Sequence, residues 1–369
     1  MTERLELDIA VFPGDGIGIE VTDSGLEVLA AAERLTGGFR CKYQTLPAGA
    51  FCYRDTGEAL PKTSVAYADK ADAILLGACG WPDIRYPDGT EIRPQVELRF
   101  IFDLYAGLRP IRHYAGIPPT LANPHGHPID FVIIRESTEG LFASRGSAPN
   151  PEVATETLVI TRRTTERLMR FAYGLARQRK GQGHPGRLTC VDKSNIFSSM
   201  AFMRGIYDEV GQDFDDVERA YLYVDAAALN LVRQPWMFDV MVMENMFGDI
   251  LSDLAAGLIG GMGMAPSADI GDSHAVFQPS HGTAPDIAGK GIANPIAMIL
   301  SGAMMCRYLA DCKSTASLND AADLIERGVA RFLETGNRLP ADQGGHTGTE
   351  QITEGIIAAM ETVAPPMRD

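Results

Sequence analysis

Short apolar runs alternate with longer amphipathic stretches along almost the whole chain, and this alternation restricts the fold more than any other feature of the sequence. Candidate strands occupy residues 7–12, 39–46, 73–76, 129–134, 188–191, 221–224 and 240–243. Helical periodicity occupies residues 20–35, 163–179, 197–210, 245–258, 295–309 and 318–334. Strands that alternate with helices pair mostly in parallel, because each crossover returns the chain to the same end of the sheet. The expected class is α/β with a largely parallel sheet. At 369 residues the chain exceeds a single small core and suggests two or three units, at about 150 residues each. Segments 82–89, 118–128 and 144–152, rich in Pro, Gly or charge, read as surface loops.

Charge narrows the function classes. A formal net charge of -15 and a pI near 4.9 repel nucleic acid and anionic membranes. An anionic small substrate remains compatible, provided that a local basic pocket receives it. No stretch approaches 18 continuous apolar residues, so no membrane span is expected. Residues 1–8 are charged and carry no signal-peptide core, which suggests a soluble, cytoplasmic protein. The six cysteines form no C-x-x-C pair and no metal-type spacing with histidine, and read as buried fillers of a reduced compartment.

Five groups of residues could carry chemistry. In Phe247-Gly248-Asp249-Ile250-Leu251-Ser252-Asp253, with Asn245 as a plausible N-cap, Asp249 and Asp253 share one helical face. Such a pair costs roughly 0.2–0.5 kcal/mol on an exposed helix. The apolar neighbours suggest burial, and buried like charges call for a counter-charge such as a hard divalent cation. A solvated acidic stripe is the plainer alternative. Asp225 ends an apolar strand, where it is either a third metal ligand or a helix N-cap. Lys193, one of 7 lysines against 26 arginines, is either a proton relay or half of a surface salt bridge. From residue 71 to 178 the basic residues are all arginines, and Arg99, Arg109 and Arg135 each follow or interrupt an apolar run. Guanidinium forks grip carboxylates, which suits a polycarboxylate, although the overall bias toward arginine weakens the signal. Last, residues 281–289, leading to Asn294-Pro295, offer small and hydroxyl residues that let a ligand approach the backbone. The turn at residues 14–18 is G-x-G-x-G and does not fit the Rossmann fingerprint.

PGDGIG, ELRFIFDLYAGLRP, RESTEG, VDKSN, VDAAAL, FGDILSD and HGTAPDIAGKGIANP occur in that order. Together they resemble the β-decarboxylating 2-hydroxy-acid dehydrogenases: the isopropylmalate, isocitrate, homoisocitrate, tartrate and D-malate dehydrogenases. The resemblance runs from about residue 7 to 360. It implies a non-Rossmann, isocitrate/isopropylmalate dehydrogenase-like fold of two domains. Residues 1–104 and 260–369 would form the large one and 105–259 the small one, with an intersubunit arm near 143–165. It also implies a homodimer or higher oligomer with shared active sites. Arg99, Arg109 and Arg135 match arginines that hold the substrate's carboxylates. Asp249 and Asp253 match ligands of Mg²⁺ or Mn²⁺, joined by Asp225 from the partner subunit. Lys193, also reaching across the interface, matches the lysine that helps remove the hydroxyl proton. His281, Gly282, Thr283, Ala284, Asp286, Ile287 and Asn294 match the loop around the adenosine half of NAD, with Ile17 near the adenine. Arg93 and Gln95 occupy the first helical turn that faces the variable substituent of the substrate.

Three positions depart from the family pattern. Phe142 replaces the tyrosine that protonates the enol, Gln278 replaces a glutamate, and Ile19 replaces a proline. The expected activity is NAD- and metal-dependent oxidation, with β-decarboxylation, of a small 2-hydroxy di- or tricarboxylic acid. Phe142 keeps two alternatives open: an enzyme that oxidises but decarboxylates poorly, or a silent homologue serving as a regulatory or interaction subunit.

Overall fold

The structure, a computed structural model, describes residues 4–123, 126–143 and 152–364. Ten strands form one sheet: β1 (Leu5–Gly14), β2 (Phe39–Thr45), β3 (Ala73–Ala78), β4 (Ala106–Arg112), β5 (Asp130–Glu136), β6 (Arg187–Asp192), β7 (Glu218–Tyr223), β8 (Val240–Met243), β9 (Pro266–Ile270) and β10 (Ala275–Pro279). Their order is β2-β1-β3-β10-β9-β4-β5-β8-β6-β7. The first four are mutually parallel and so are the last four. Between these sets β9 runs antiparallel to β10 and β4, and β4 runs antiparallel to β5.

Both faces of the sheet are covered, as its strand composition requires. In β1, Leu7, Ile9 and Val11 enter one core while Ala10 and Phe12 enter another. In β5, Phe131 and Ile133 join the first core, and Val132 and Ile134 a third. Helices α1 (Ile17–Thr36), α2 (Ala50–Thr56), α3 (Lys62–Ala68) and α4 (Pro94–Ile101) precede the middle strands. Next come α5 (Arg162–Gly181), α6 (Ser198–Gly211), α7 (Val224–Arg233) and α8 (Asn245–Leu258), and α9 (Ile296–Lys313), α10 (Ala316–Glu334) and α11 (Thr349–Val363) close the fold. Residues 296–303 of α9 are buried without interruption, because that helix lies between the sheet, α1 and α10. α5 and α6 pack on β5, β6 and β8 around Tyr173 and Tyr207.

Several expectations change in detail. The strand expected at 221–224 is β7, which stops at Tyr223, so Asp225 sits in the first turn of α7 and Tyr223 takes the N-cap. Of the cysteines only Cys190 and Cys306 are buried, and all six are free thiols. The expected arm near 143–165 falls partly outside the described residues, at 144–151. Apart from Ala143, which ends a short 3-10 turn, its described part has no helix or strand before α5, only a bridge between Val159 and Gly140. The loop expected at 144–152 lies almost wholly outside them as well. No described helix is long and apolar enough to cross a membrane.

Candidate active site

Arg99 stands in the last turn of α4, Arg109 in the middle of β4 and Arg135 near the end of β5; all three are buried. Apolar neighbours carry each into the core, and β4 lies between β9 and β5. Gly107 therefore pairs with both Asp269 and Arg135 across the sheet. Arg99 Nε donates to Asp269 Oδ2 at 3.0 Å. Arg109 Nη1 donates to Ser280 Oγ at 3.0 Å, while its buried Nε has no partner among the described residues. Arg135 donates from Nε (2.9 Å) and Nη2 (2.7 Å) to Asn245 Oδ1. Its Nη1 donates to Asp249 Oδ1.

Gathering three guanidinium groups out of water has an electrostatic cost. Burial, and then the neighbouring Arg99, push Arg135 down to about 10. Burial lowers Arg109 as well. Burial also opposes ionisation of Asp269, yet Arg99, Arg109 and Arg135 outweigh it and hold that carboxyl below its usual range. Buried cations facing a single buried carboxylate form a receptor for further anions.

The acidic half of the site is on α8. Glu244, not Asn245, caps this helix, accepting from Met246 N (3.0 Å) and Phe247 N (2.7 Å). Asn245 is left free to grip Arg135, and its amide donates to Glu139 O at 2.9 Å. The helix is buried on one face only: Ile250 is 59% exposed. Asp249 and Asp253 share a half-open face. Partial burial, followed by the charge of Asp249, raises the Asp253 pKa. Arg109 and Arg135 oppose that rise, and two carboxylates on one helix face offer oxygen ligands that fit a hard divalent cation.

Asp225 is not gathered into that pair. Lys193 Nζ donates to its Oδ1 at 2.6 Å, and this hydrogen bond lowers its pKa. Among the described residues of one chain, no three His, Cys, Asp or Glu side chains converge to hold a metal. The site of a single chain thus holds two of the three expected ligands.

The turn after β1 meets the loop expected to hold a cofactor. Ile17 N donates to Thr283 O at 2.9 Å. Gly16 has φ 58°, and a Cβ there would lie 2.3 Å from that same oxygen. Ile17 itself packs into the main core, so it positions the loop through its backbone and does not present its side chain. Ala284 adopts φ 40°, unusual for a residue with a side chain. His281 Nδ1 lies 2.9 Å from Gly282 O, its buried Nε2 has no partner among the described residues, and burial lowers its pKa. Asp286 and Gly282 are exposed, Ile287 is half-buried and Thr283 is buried. Asn294 Nδ2 donates to Asp342 Oδ2 at 3.2 Å.

At the start of α4, Pro94 holds the first position and Arg93 is the exposed N-cap. Gln95 is half-buried, and its Oε1 is buried without a partner. Phe142 lies against the arginine cluster, with its ring centroid 4.9 Å from the Arg135 guanidinium carbon. Three residues of this region escaped the sequence reading: Asp269, Asp342 and Asn245 in its binding role. Asp269 stands in Pro266-Ser267-Ala268-Asp269-Ile270, a stretch too short and mixed to signal a buried carboxylate.

Residues 8–356 match the isocitrate/isopropylmalate dehydrogenase family. The chain is 40% identical over 349 residues to a 3-isopropylmalate/3-methylmalate dehydrogenase from Methanocaldococcus jannaschii, covering 94% of this chain and 97% of that protein. It superposes on the crystal structure of an isocitrate dehydrogenase from Methylococcus capsulatus with TM-score 0.83 and 34% identity, covering 96% of this chain and 99% of that one. For a β-decarboxylating dehydrogenase from Thermococcus kodakarensis in its apo form, the TM-score is 0.79 at 37% identity, covering 98% of this chain and 99% of that one.

Proposed function

The chain belongs to the isocitrate/isopropylmalate dehydrogenase family, and we propose that it oxidises a small 2-hydroxy di- or tricarboxylic acid with NAD and Mg²⁺ or Mn²⁺, releasing the β-carboxylate as CO₂. One observation carries this reading: Arg99, Arg109 and Arg135 are buried together beside Asp249 in a strongly acidic protein.

The arginines bind and orient the substrate carboxylates, which fixes C2 relative to the nicotinamide. Lys193 of the partner subunit takes the hydroxyl proton. Asp249, Asp253 and the partner subunit's Asp225 would hold the cation, which supplies Lewis acidity toward the C2 oxygen. His281, Gly282, Thr283, Ala284, Asp286, Ile287 and Asn294 would hold the adenosine half of NAD, the hydride acceptor. The unpartnered His281 Nε2 and the left-handed Ala284 support that role. Phe142 has no proton to give, so water or another acid must protonate the enol.

The working unit is a homodimer in the cytoplasm. Ile196, Phe197, Leu229, Val232 and Ile250 are exposed on elements adjoining Lys193 and Asp225, and an apolar surface of that kind suits a second copy. The two sheet halves act as two domains. β4 to β8 all come from residues 105–259, and the other five strands come from 1–104 and 260–369.

Gln95 favours a substrate whose variable substituent is oxygen-rich: a hydroxyl can donate to its buried Oε1, and a carboxylate can accept from its amide N–H. Leaving its buried oxygen against an alkyl group would cost about 1–3 kcal/mol. Arg93, exposed at the N-cap of the same helix, would join it on the solvent side of that wall. The name of the Methanocaldococcus jannaschii relative favours a second reading, 3-isopropylmalate or 3-methylmalate. Side-by-side kcat/KM values with Mn²⁺ and NAD decide between isocitrate, homoisocitrate, tartrate, malate and 3-isopropylmalate. An advantage for an oxygen-rich acid supports the first reading, a win for 3-isopropylmalate establishes the second, and no turnover of any contradicts both.

A further inference from the structure

Asp269 is the only carboxylate among the described residues that is fully buried beside the three arginines, and three different elements serve it. Its Oδ2 accepts from Arg99 Nε at 3.0 Å and from Gln278 Nε2 at 2.8 Å. Its Oδ1 accepts from Ser137 Oγ at 3.0 Å. Val276 of β10 lies directly opposite Asp269 of β9, so Gln278, two residues on, reaches it diagonally on the same face. Gly107 leaves room for the serine: a Cβ there would lie 2.7 Å from Ser137 Oγ and 3.2 Å from Asp269 Oδ1. The carboxylate accepts in all three of these hydrogen bonds.

We propose that Asp269, held by Gln278 and Ser137, is a positioning residue that fixes Arg99 and sets the positive charge offered to the substrate's carboxylates, and that position 278 carries a neutral amide for this reason. The proposal rests on the reading of Arg99 as a substrate-binding group. The amide donates a hydrogen bond without adding charge. A carboxylate at 278 would stand within hydrogen-bond distance of Asp269, and the pair would hold one proton between them. Losing that proton would cancel a second guanidinium charge and weaken the hold on an anionic substrate. The charged and polar groups facing Asp269 are Arg99 from α4, Arg109 from β4, Arg135 from β5, and Ser137 just beyond β5. The three guanidinium groups favour ionisation of the pair, while burial and contact with Asp269 oppose it at position 278.

The test compares Gln278→Glu, Asp269→Asn and the double variant Asp269→Asn/Gln278→Glu, as full-length protein with Mn²⁺ and NAD. Gln278→Glu should raise KM for the 2-hydroxy acid about tenfold at pH 8, leave kcat within about threefold, and give a KM that rises with pH. Asp269→Asn should lower kcat/KM about tenfold, because Arg99 loses its anion. The double variant moves the carboxylate one strand over and keeps an amide beside it, so kcat/KM should recover to within about threefold of wild type. Thermal unfolding gives a readout that does not need turnover. The shared proton raises a carboxyl pKa in the folded state only. Relative to wild type, Gln278→Glu should therefore lose stability as pH rises from about 5 to about 8, and the double variant should not. A wild-type KM and pH profile in Gln278→Glu, or purely multiplicative defects in the double variant, would overturn the proposal. Were the wild type to turn over no 2-hydroxy acid, the functional reading would fail, and the unfolding series alone would confirm or overturn the charge coupling.

Discussion

Asp249→Asn keeps the size and polarity of a side chain on α8 and removes only its charge. Asp249 is 45% exposed on its side chain while its partner Arg135 is 3% exposed, so solvent screens the ion pair to about 0–1 kcal/mol. Removing the repulsion with Asp253, four residues on, returns roughly 0.2–0.5 kcal/mol. Arg135 keeps both hydrogen bonds to Asn245 Oδ1. The net change in stability should stay within about 1 kcal/mol, a melting shift of about 4 °C or less. Activity should respond very differently. A cation that stabilises developing charge contributes several kcal/mol. Losing 3–4 kcal/mol of it, at about 1.4 kcal/mol per tenfold, lowers kcat/KM by about 10²–10³. The assay pairs kcat/KM at saturating NAD with melting curves with and without Mn²⁺. Wild type should gain about 2.7 kcal/mol at a hundredfold excess over Kd, and the variant much less. Activity within a few-fold of wild type, or an unchanged response to Mn²⁺, would refute the assignment of Asp249 as a ligand.

Asp286 is exposed on the loop proposed to hold the cofactor, and a 2′-phosphate beside it would meet a like charge; kcat/KM for NAD should exceed that for NADP by about tenfold or more, and similar values would contradict this. Phe142→Tyr should raise CO₂ release relative to NADH formation, and a wild type that already makes the two one-to-one at a normal rate would show that the missing phenol does not matter. Glu136 is buried beside Asn245, and burial, opposed by hydrogen bonds from Thr138 and Glu139, raises its pKa to about 6. An acid whose folded pKa exceeds its unfolded one loses stability as pH climbs from the unfolded value, near 4.5, through the folded one. Wild type measured against Glu136→Gln should therefore lose about 2 kcal/mol between pH 4 and pH 7 by denaturant unfolding, and a constant difference would contradict the assignment.

The parts of this fold that are legible from sequence are those with a long, unambiguous period. α1, α5, α6, α8, α9 and α10 repeat their apolar positions over three or more turns. β1, β3, β5, β6 and β8 are apolar runs bounded by charge or glycine, and β2 alternates apolar with polar residues along Phe39–Thr45. β4 was harder, because its Ala-Gly-Leu-Arg-Pro-Ile-Arg carries two arginines and a proline where a mid-sheet strand is expected to be apolar. β9 and β10 have five residues each and a proline at one end, too short to show alternation. The arginine triad was visible because each member interrupts an apolar run. Asp269 lies 170 residues from Arg99 in sequence, so only the folded sheet shows that the two meet. Asn245 reads in the sequence as the N-cap of α8, but Glu244, immediately before it, takes that role and leaves the asparagine for Arg135.

The most direct test of the central claim follows the hydrogen on C2. A 2-hydroxy polycarboxylate deuterated at C2 is incubated with the protein, NAD and Mn²⁺, and the reduced cofactor is analysed by mass spectrometry. The account predicts one deuterium per NADH formed, and no NADH after EDTA until Mn²⁺ is restored. Unlabelled NADH, or an equal yield in EDTA, would contradict it.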